Sequence, residues 1–553
     1  MKIKEKNNFI SISFNYDAAL VAIVGGMRSR KFSSKSKEWI IPKSNVSEVV
    51  ETLEPLGFEI DEKIKKLYIK EKHKKQKIQN ILNFEFNKKE KEKLESLNLP
   101  LFNFQKIGTG FLCVAKSALL GDEPGLGKSI QSISCTYIKN AKKVLILCPG
   151  TLKLNWSEEI KKWFPNKKIT VISGNKKERE KKWTEEDSNY IIINYELLIR
   201  DIKEIKKIKW DFIIADEATR IANPKAKQSK EIKKIKADYK IALTGTPLNN
   251  AIEDLWNIID FCKPGLLGSF WQFTERYCVK DRWRKIISYK NLNELKSIVQ
   301  SNMIRRKKVE VLNELPEKVY ENIYIEMSQT EKEVYEAIKE EIQKDLEKYQ
   351  IEKVLDDKYL SNIVVKMVRL KQATDSLELV SNHKISSKLE SLKELLKDIL
   401  HNESKTIIFT QFSQMADILK KELSQYNPLL ISGKINNEER QQNVNDFQSN
   451  EKNKIMIMTE AGSYGLNMQK ASYIIHYDLP WSISKMEQRE GRAHRIGQKN
   501  SVIVFNLITL NSIDEYVYKV LMKKQKLSED ILGDKERVRK VKISKKDINN
   551  ILN

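Results

Sequence analysis

The chain has little cysteine, no long apolar run and no short-period repeat, and each of these absences removes a class of protein. Its five cysteines, Cys113, Cys135, Cys148, Cys262 and Cys278, contain no C-x-x-C pair. Neither a zinc site nor a disulfide framework is therefore expected, and a reducing compartment fits. The apolar run at 18–27 sits between Asp17 and Arg28. It is too short to cross a bilayer and has no basic leader, so no membrane span or signal peptide is expected. Acidic residues are the minority charge, with 75 Asp+Glu against 100 Lys+Arg and a formal net charge of +25. That balance favours a polyanionic partner. Lysine, isoleucine and asparagine are all frequent, as in proteins from AT-rich genomes, so the charge serves as supporting evidence only.

What is present reads as several globular domains. A chain of 553 residues exceeds one hydrophobic core, and 40% hydrophobic with 32% charged residues is a folded composition. Residues 1–60 alternate apolar and polar positions in short pieces around Gly25-Gly26, which predicts a small α+β module. A lysine-rich run at 63–77 follows, read as a solvated linker, a helix face or a nucleic-acid contact. From residue 103, β-branched runs at 144–147, 190–193, 212–215 and 241–243 alternate with amphipathic stretches. They read as buried parallel strands of a doubly wound α/β domain, with ligands expected at the strands' carboxyl ends. A charged, helical stretch begins at 328. A second α/β series then runs through 406–409, 429–431, 455–458, 473–475 and 502–505, closed by a helix at 513–532 and a basic tail at 535–546.

The most informative residues are 121–129, Gly-Asp-Glu-Pro-Gly-Leu-Gly-Lys-Ser. A glycine-rich loop opening a helix lets backbone N–H groups approach a phosphate. Asp122, Glu123, Gly125, Leu126, Gly127, Lys128 and Ser129 are the expected nucleotide-binding set, with Lys128 on the β/γ-phosphates and Ser129 on Mg²⁺. Asp122 stands where the usual pattern has its first glycine. Asp216-Glu217 ends an apolar strand, where Asp216 suits a Mg²⁺ ion and Glu217 suits the attacking water. Leu243-Thr-Gly-Thr-Pro ends another strand, and Thr244 and Thr246 read as a γ-phosphate relay. In 488–498, a helical spacing would place Gln488, Arg492 and Arg495 on one face. Arginines offered from the second α/β half would then stabilise charge in phosphoryl transfer.

Together these residues resemble the Swi/Snf family of ATP-dependent DNA translocases, within the superfamily of DEAD/DEAH-type helicases. The resemblance covers about 100–525 and accounts for Asp122, because members carry Asp-Glu before the loop glycines. It departs at Thr219, where the family usually has histidine. It implies an α/β fold of two RecA-like P-loop NTPase lobes with helical insertions, preceded by the small α+β domain. The expected division is a module at 1–60, a basic linker at 61–95, lobe 1 at 96–300, helical insertions at 301–385, lobe 2 at 386–511 and a closing helix and tail at 512–553. The resemblance further implies a DNA-dependent ATPase that uses ATP and Mg²⁺, with Gln105 beside the adenine and Gly465 in the nucleotide site. It places DNA backbone contacts at Pro149, Gly150, Thr151, Thr410, Gln411 and Thr459.

The stretch Tyr16-Asp17, Arg28-Ser-Arg30, Lys37-Glu-Trp39 and Pro42 resembles the HARP-type module of annealing helicases. The expected partner is double-stranded or forked DNA, with no membrane and no histone-reading module. The expected location is the cytoplasm, for a nucleoid-associated protein or one encoded by a phage in a bacterial host. A strand-separating DNA or RNA helicase, and a DNA-binding subunit of a restriction or phage-defence complex, are the alternatives.

Overall fold

The computed structural model describes residues 1–532 except 7–8, 84, 87, 96, 98–100, 185–186, 248–250, 285, 312–315, 317, 353–356, 401–403, 461–465, 467, 496 and 499. At 89–90, 309, 345–352, 357–364, 437 and 524–532 only the backbone is described. The basic tail lies outside these residues. The boundary between two compact units falls between Lys307 and Lys308.

The first unit begins with β1 (Lys2–Lys6), β2 (Phe9–Ser13), β3 (Lys31–Ser33), β4 (Glu38–Pro42) and β5 (Glu59–Ile60). They form one sheet in the order β3-β4-β2-β1-β5. One face buries Ile3, Ile10, Ile12 and Ile41 against Val24, Val49, Val50 and Leu53 of two short helices. Alternate apolar residues thus produce the predicted α+β module. The basic stretch expected as a linker is mostly helix, Glu62–Leu82, whose first turn is capped by the Asp61 side chain. Its lysines face solvent while Ile64, Ile78 and Ile81 are buried, as a helix face requires.

The same unit continues with β6 (Ala118–Leu120), β7 (Val144–Cys148), β8 (Ile169–Val171), β9 (Tyr190–Asn194), β10 (Trp210–Asp216) and β11 (Ala237–Leu243). A hairpin of β12 (Cys278–Lys280) and β13 (Ile286–Tyr289) and the short β14 (Met303–Ile304) follow. Among the described residues the main sheet has the order β14-β6-β11-β10-β7-β9-β8, and all its pairings are parallel. All five residues of β7 are buried, as expected of a central parallel strand covered on both faces. The N-terminal module is tied to this domain by side chains near one helix, Phe270–Tyr277. Gln272 donates to the Arg30 carbonyl (3.1 Å), Arg276 to the Gly26 carbonyl (2.9 Å), and Ser29 to the Gly265 carbonyl.

The second unit contains β15 (Lys318–Ile325), β16 (Lys405–Thr410), β17 (Leu429–Ile431), β18 (Ile455–Thr459), β19 (Ala471–His476) and β20 (Val502–Thr509). Their order is β15-β20-β19-β16-β18-β17, again with parallel pairings. Alternate residues serve opposite faces. Ile408, Ile457 and Ile475 join one core, and Ile407, Phe409, Met456 and Ile474 join the other. The stretch 301–385, expected to be helical, also contributes β14 to the first sheet and β15 to the second. Its helices, Gln329–Glu352 and Asp357–Asp375, pack Tyr335, Ile338, Met367 and Leu370 against Ile513, Val517 and Leu521 of the closing helix.

Beneath these helices Lys388, fully buried, bridges Asp375 (3.0 Å) and Asp514 (2.6 Å), both also fully buried. Removing the cation leaves two carboxylates together without water. Lys388→Ala should destabilise the second unit by about 3–5 kcal/mol, read as a lower urea midpoint for unfolding.

Candidate active site

In the first sheet the phosphate loop leaves β6, the paired acids end β10, and the threonine turn leaves β11, which lies between them. All three reach the carboxyl edge of a parallel sheet, where α/β folds bind ligands. Gly125 and Gly127 have φ values of +92° and +74°, the left-handed region that side chains avoid. A Cβ on Gly127 would also run into the Gln105 amide. The loop turns directly into the helix Lys128–Ile138, so its N–H groups and the helix N-terminus converge. Lys128 curls over the loop, donating to the carbonyls of Asp122 (2.8 Å) and Glu123 (3.3 Å).

Asp122 has an internal role that its expected place in the nucleotide set did not foresee. Its carboxylate is fully buried and ion-paired with Arg306, whose backbone N–H (3.1 Å) and Nε (3.0 Å) also donate to it. Gln131 donates to the same carboxylate at 3.1 Å and accepts from Arg306 at 2.8 Å. Gln105, expected beside the adenine, is buried behind the loop. Its amide nitrogen donates to the Leu126 carbonyl (3.4 Å), and its oxygen caps the Phe102 N–H (3.1 Å). Arg306 falls in a stretch, 304–307, that shares the family resemblance, whereas Gln131 carries no signal of its own, because an amide at that spacing is common.

Asp216 accepts from Trp156 Nε1 (2.8 Å) and from the Glu217 N–H (2.9 Å). Burial pushes its pKa up, while the Trp156 hydrogen bond and the charge of Lys128 oppose that rise. Glu217 is held at φ +49°, a sparsely populated conformation for a non-glycine residue and one that clusters at functional sites. Thr219 donates from its hydroxyl to the Glu217 carbonyl (3.5 Å). Thr244 is fully buried and its hydroxyl accepts from the Thr246 N–H (3.1 Å). Gly245 packs so closely on Pro124 that a Cβ would come within 2.9 Å of the proline ring. The threonine turn therefore touches the phosphate loop directly. This cradle, one lysine and the half-buried Asp216 fit a magnesium triphosphate. Ser129 and Asp216 would hold the ion, which would neutralise phosphate charge.

After β7, Gly150 and Thr151 are exposed and Pro149 is buried. A Cβ on Gly150 would meet open space, so backbone there is accessible.

In the second unit, the side chains at the positions expected to contact the DNA backbone point inward. Thr410 is fully buried and donates to Asp478 (2.6 Å). Gln411 binds Asp478 through both its backbone N–H (2.7 Å) and its side-chain amide (2.9 Å). Thr459 is buried at the end of β18, and Gly465 lies outside the described residues. A single helix does not carry Gln488, Arg492 and Arg495 on one face. The helix is Ile483–Glu490, and Gly491 caps it with an N–H bond to the Glu487 carbonyl (2.8 Å). Turns carry the chain onward from there. Gln488, Arg492 and Arg495 are still set apart from their neighbours, being half-buried while Arg489, Glu490, Ala493 and His494 are buried.

Those buried neighbours form a network that the sequence reading missed. Arg489 donates to the Asp478 carbonyl (2.8 Å) and pairs with Glu460 (3.4 Å) and the Asp478 carboxylate (3.5 Å). Glu490 accepts from Lys318 and Tyr320, each at 2.7 Å. Burial would raise the pKa of Glu490, but Lys318 and His476 hold it well below the usual carboxylate range. The motif's backbone is thus fastened to β15, β16 and β19 at once.

Parallel sheets, a phosphate loop after one strand and paired acids after another define a P-loop nucleotide triphosphatase core. The SNF2-related domain matches residues 43–379, and the helicase conserved C-terminal domain matches residues 387–497. The chain belongs to the SNF2-related family. It is 31% identical over 422 residues to an uncharacterized ATP-dependent helicase of Mycoplasma pneumoniae, covering 74% of this chain and 39% of that one. It is 31% identical over 458 residues to the putative ATP-dependent helicase/translocase YwqA of Bacillus subtilis, covering 78% and 48%. It is 30% identical over 459 residues to the ISWI chromatin-remodeling complex ATPase ISW1 of Saccharomyces cerevisiae, covering 78% and 40%. The chain therefore spans between 39% and 48% of the length of these relatives. Among solved structures, the Sulfolobus solfataricus SWI2/SNF2 ATPase core in complex with dsDNA is 29% identical, with a TM-score of 0.39, covering 79% of this chain and 93% of that one.

Two variants test the internal scaffolding of the site. Arg306→Ala strands the buried Asp122 carboxylate and should destabilise the first unit by about 3–5 kcal/mol in urea unfolding. Asp478 gives a pH signature. Burial alone would raise its pKa, but Lys371, Arg489 and the hydrogen bonds from Thr410 and Gln411 bring it down to about 2. Its stabilisation is complete above the ordinary carboxylate value and is lost as pH falls through about 2. Asp478→Asn should therefore show a shallower loss of stability between pH 5 and pH 2 than the parent, by roughly 2 kcal/mol.

Proposed function

We propose that the chain is an ATP-dependent translocase that moves along double-stranded or forked DNA, hydrolysing ATP to ADP and phosphate. The observation that carries this is the phosphate cradle at the carboxyl edge of the first sheet, with Lys128 laid over its loop and the paired acids ending β10. The lysine rests on the phosphate loop's own carbonyls, and its charge acts on the carboxylate at the end of β10. A triphosphate entering the cradle replaces those carbonyls as the partner of Lys128. Glu217, fixed in its left-handed conformation, orients the attacking water. Gln488, Arg492 and Arg495 stabilise the charge that develops on the transferred phosphoryl group.

A DNA partner is supported by the net charge of +25 and by relatives described as helicases, translocases and a chromatin-remodeling ATPase. Exposed backbone at Gly150 and Thr151 gives sequence-independent contacts to phosphates. Inward-facing side chains at Thr410 and Gln411 shape the loop that would approach the DNA backbone. The N-terminal module presents Tyr16, 88% exposed, within the stretch that resembles a HARP-type module. It supports action at DNA forks, where strands are rewound.

ATP turnover should rise when duplex or forked DNA is added and should fall steeply as salt increases. Lys128→Ala should reduce that turnover at least about a hundredfold while DNA retention on a filter stays near the parent level. Stimulated turnover that survives in Lys128→Ala would refute the assignment. Annealing and displacement assays on one forked substrate separate strand rewinding from strand separation.

A further inference from the structure

We propose that the hairpin of β12 and β13 is a DNA contact whose tip, Arg282-Trp283-Arg284, stacks on an unpaired base. This rests on the reading that DNA is the partner of the chain. The hairpin stands apart from the phosphate loop, the paired acids and the threonine turn, and none of the chemistry above uses it.

Its base is fixed and its tip is not covered. Cys278 and Tyr289 face each other across the two strands and are buried, as is Tyr277 just before them. The Tyr289 hydroxyl donates to Glu253 (3.3 Å), and the Lys290 N–H donates to the Tyr277 carbonyl (2.9 Å). Lys280 donates to Thr274 (2.9 Å) on the preceding helix. A two-stranded hairpin is marginal alone, and these ties make it rigid. The turn itself is ordered by Asp281. Its side chain accepts from the Trp283 N–H (3.0 Å) and its carbonyl accepts from the Arg284 N–H (2.9 Å). Arg284 takes the left-handed conformation, at φ +61°.

On this support Trp283 is 71% exposed, the most exposed tryptophan among the described residues. The Arg282 guanidinium lies 3.8 Å from its ring centre. A large amphipathic ring held open at an ordered turn is available to stack on a ligand. The charge of the turn says which kind. Residues 280–285 read Lys-Asp-Arg-Trp-Arg-Lys, four cations with one acid, which suits a polyanion and repels a basic protein surface. An aromatic ring flanked by arginines takes a base face on the ring and phosphates on the guanidinium groups. Paired bases inside a duplex hide their faces, whereas an unpaired base or a frayed fork arm offers one.

The hairpin also shares its support with the N-terminal module. The helix Phe270–Tyr277 receives that module through Gln272 and Arg276 and runs without a break into β12. A strand held at the tip is thereby held by the same body that carries the module.

The test uses the full chain with a forked duplex bearing unpaired arms, a blunt duplex of equal length, a single-stranded oligodeoxynucleotide and its RNA counterpart. Trp283→Ala should raise the half-saturating concentration of forked and single-stranded DNA at least about fivefold. It should leave the blunt duplex within about twofold, and Trp283→Phe should recover most of the loss. Quenching of tryptophan fluorescence by single-stranded DNA should be smaller in Trp283→Phe than in the parent. The proposal is overturned if Trp283→Ala matches the parent on forked DNA, if it weakens the blunt duplex equally, or if only RNA responds. If no DNA stimulates ATP turnover by the parent chain, the translocase reading fails. The fluorescence titration without ATP still decides the role of the tip in that case.

Discussion

A buried carboxylate neutralised by a guanidinium governs the nucleotide site of this chain. The phosphate loop needs left-handed backbone at Gly125 and Gly127, conformations that an unsupported loop would sample among many others. The Asp122 carboxylate anchors the start of the loop to the Arg306 side chain and backbone, and Gln131 on the following helix closes the same cluster. Arg306 in turn follows β14, the edge strand of the sheet. One buried ion pair thus joins the first turn of the loop, the helix it opens and the last strand of its domain. Such a pair is worth little as net stability but a great deal as a constraint, because either partner alone would be stranded in a dry interior. This also explains why aspartate replaces glycine there. The position is used for its side chain, not for backbone freedom.

The second unit repeats the logic, a buried carboxylate at the end of one strand organising the loops after its neighbours. Asp478 follows β19 and binds Thr410 and Gln411 after β16, while Arg489 reaches it from the helix Ile483–Glu490. The side chains of Thr410 and Gln411, residues expected near DNA, serve this internal cluster. The exposed face of the motif is left to the residues between the buried ones. Gln488, Arg492 and Arg495 keep their partial exposure through a helix end and a turn, since Arg489, Glu490 and His494 pin the backbone on either side.

Most of the central strands were legible in the sequence because a parallel sheet covered on both faces leaves a plain mark. Runs such as Val144-Leu-Ile-Leu147 and Ile455-Met-Ile-Met458 carry no polar residue. Short or edge strands leave none. Ala118–Leu120 and Met303–Ile304 are too brief for any period to show, and Lys318–Ile325 exposes enough of its edge position to read as charged. The chemical residues were legible for a different reason. A glycine loop before Lys-Ser and two acids after a strand are dictated by the phosphate rather than by packing. The supporting residues Arg306, Gln131, Trp156 and Asp478 were not visible in that way. Each is defined by a partner far away in sequence, and no local spacing encodes such a pairing. The helix through 488–495 failed on one residue, Gly491, which stops it at the point where periodicity alone would carry it on.

The close approach of Gly245 to Pro124 gives the first unit a mechanical property as well as a chemical one. The threonine turn after β11 leaves no room for a side chain at Gly245, so its backbone is fitted to the phosphate loop. Further along the chain lies the helix Ile252–Cys262, whose Trp256 donates to the Gly268 carbonyl (3.0 Å) and packs its ring against Phe270 and Phe273. The same segment bears the N-terminal module, through Gly265, Gln272 and Arg276, and ends in the hairpin. The N-terminal module and the hairpin are thereby held on one packed support. Rigid packing of this kind transmits a displacement rather than absorbing it.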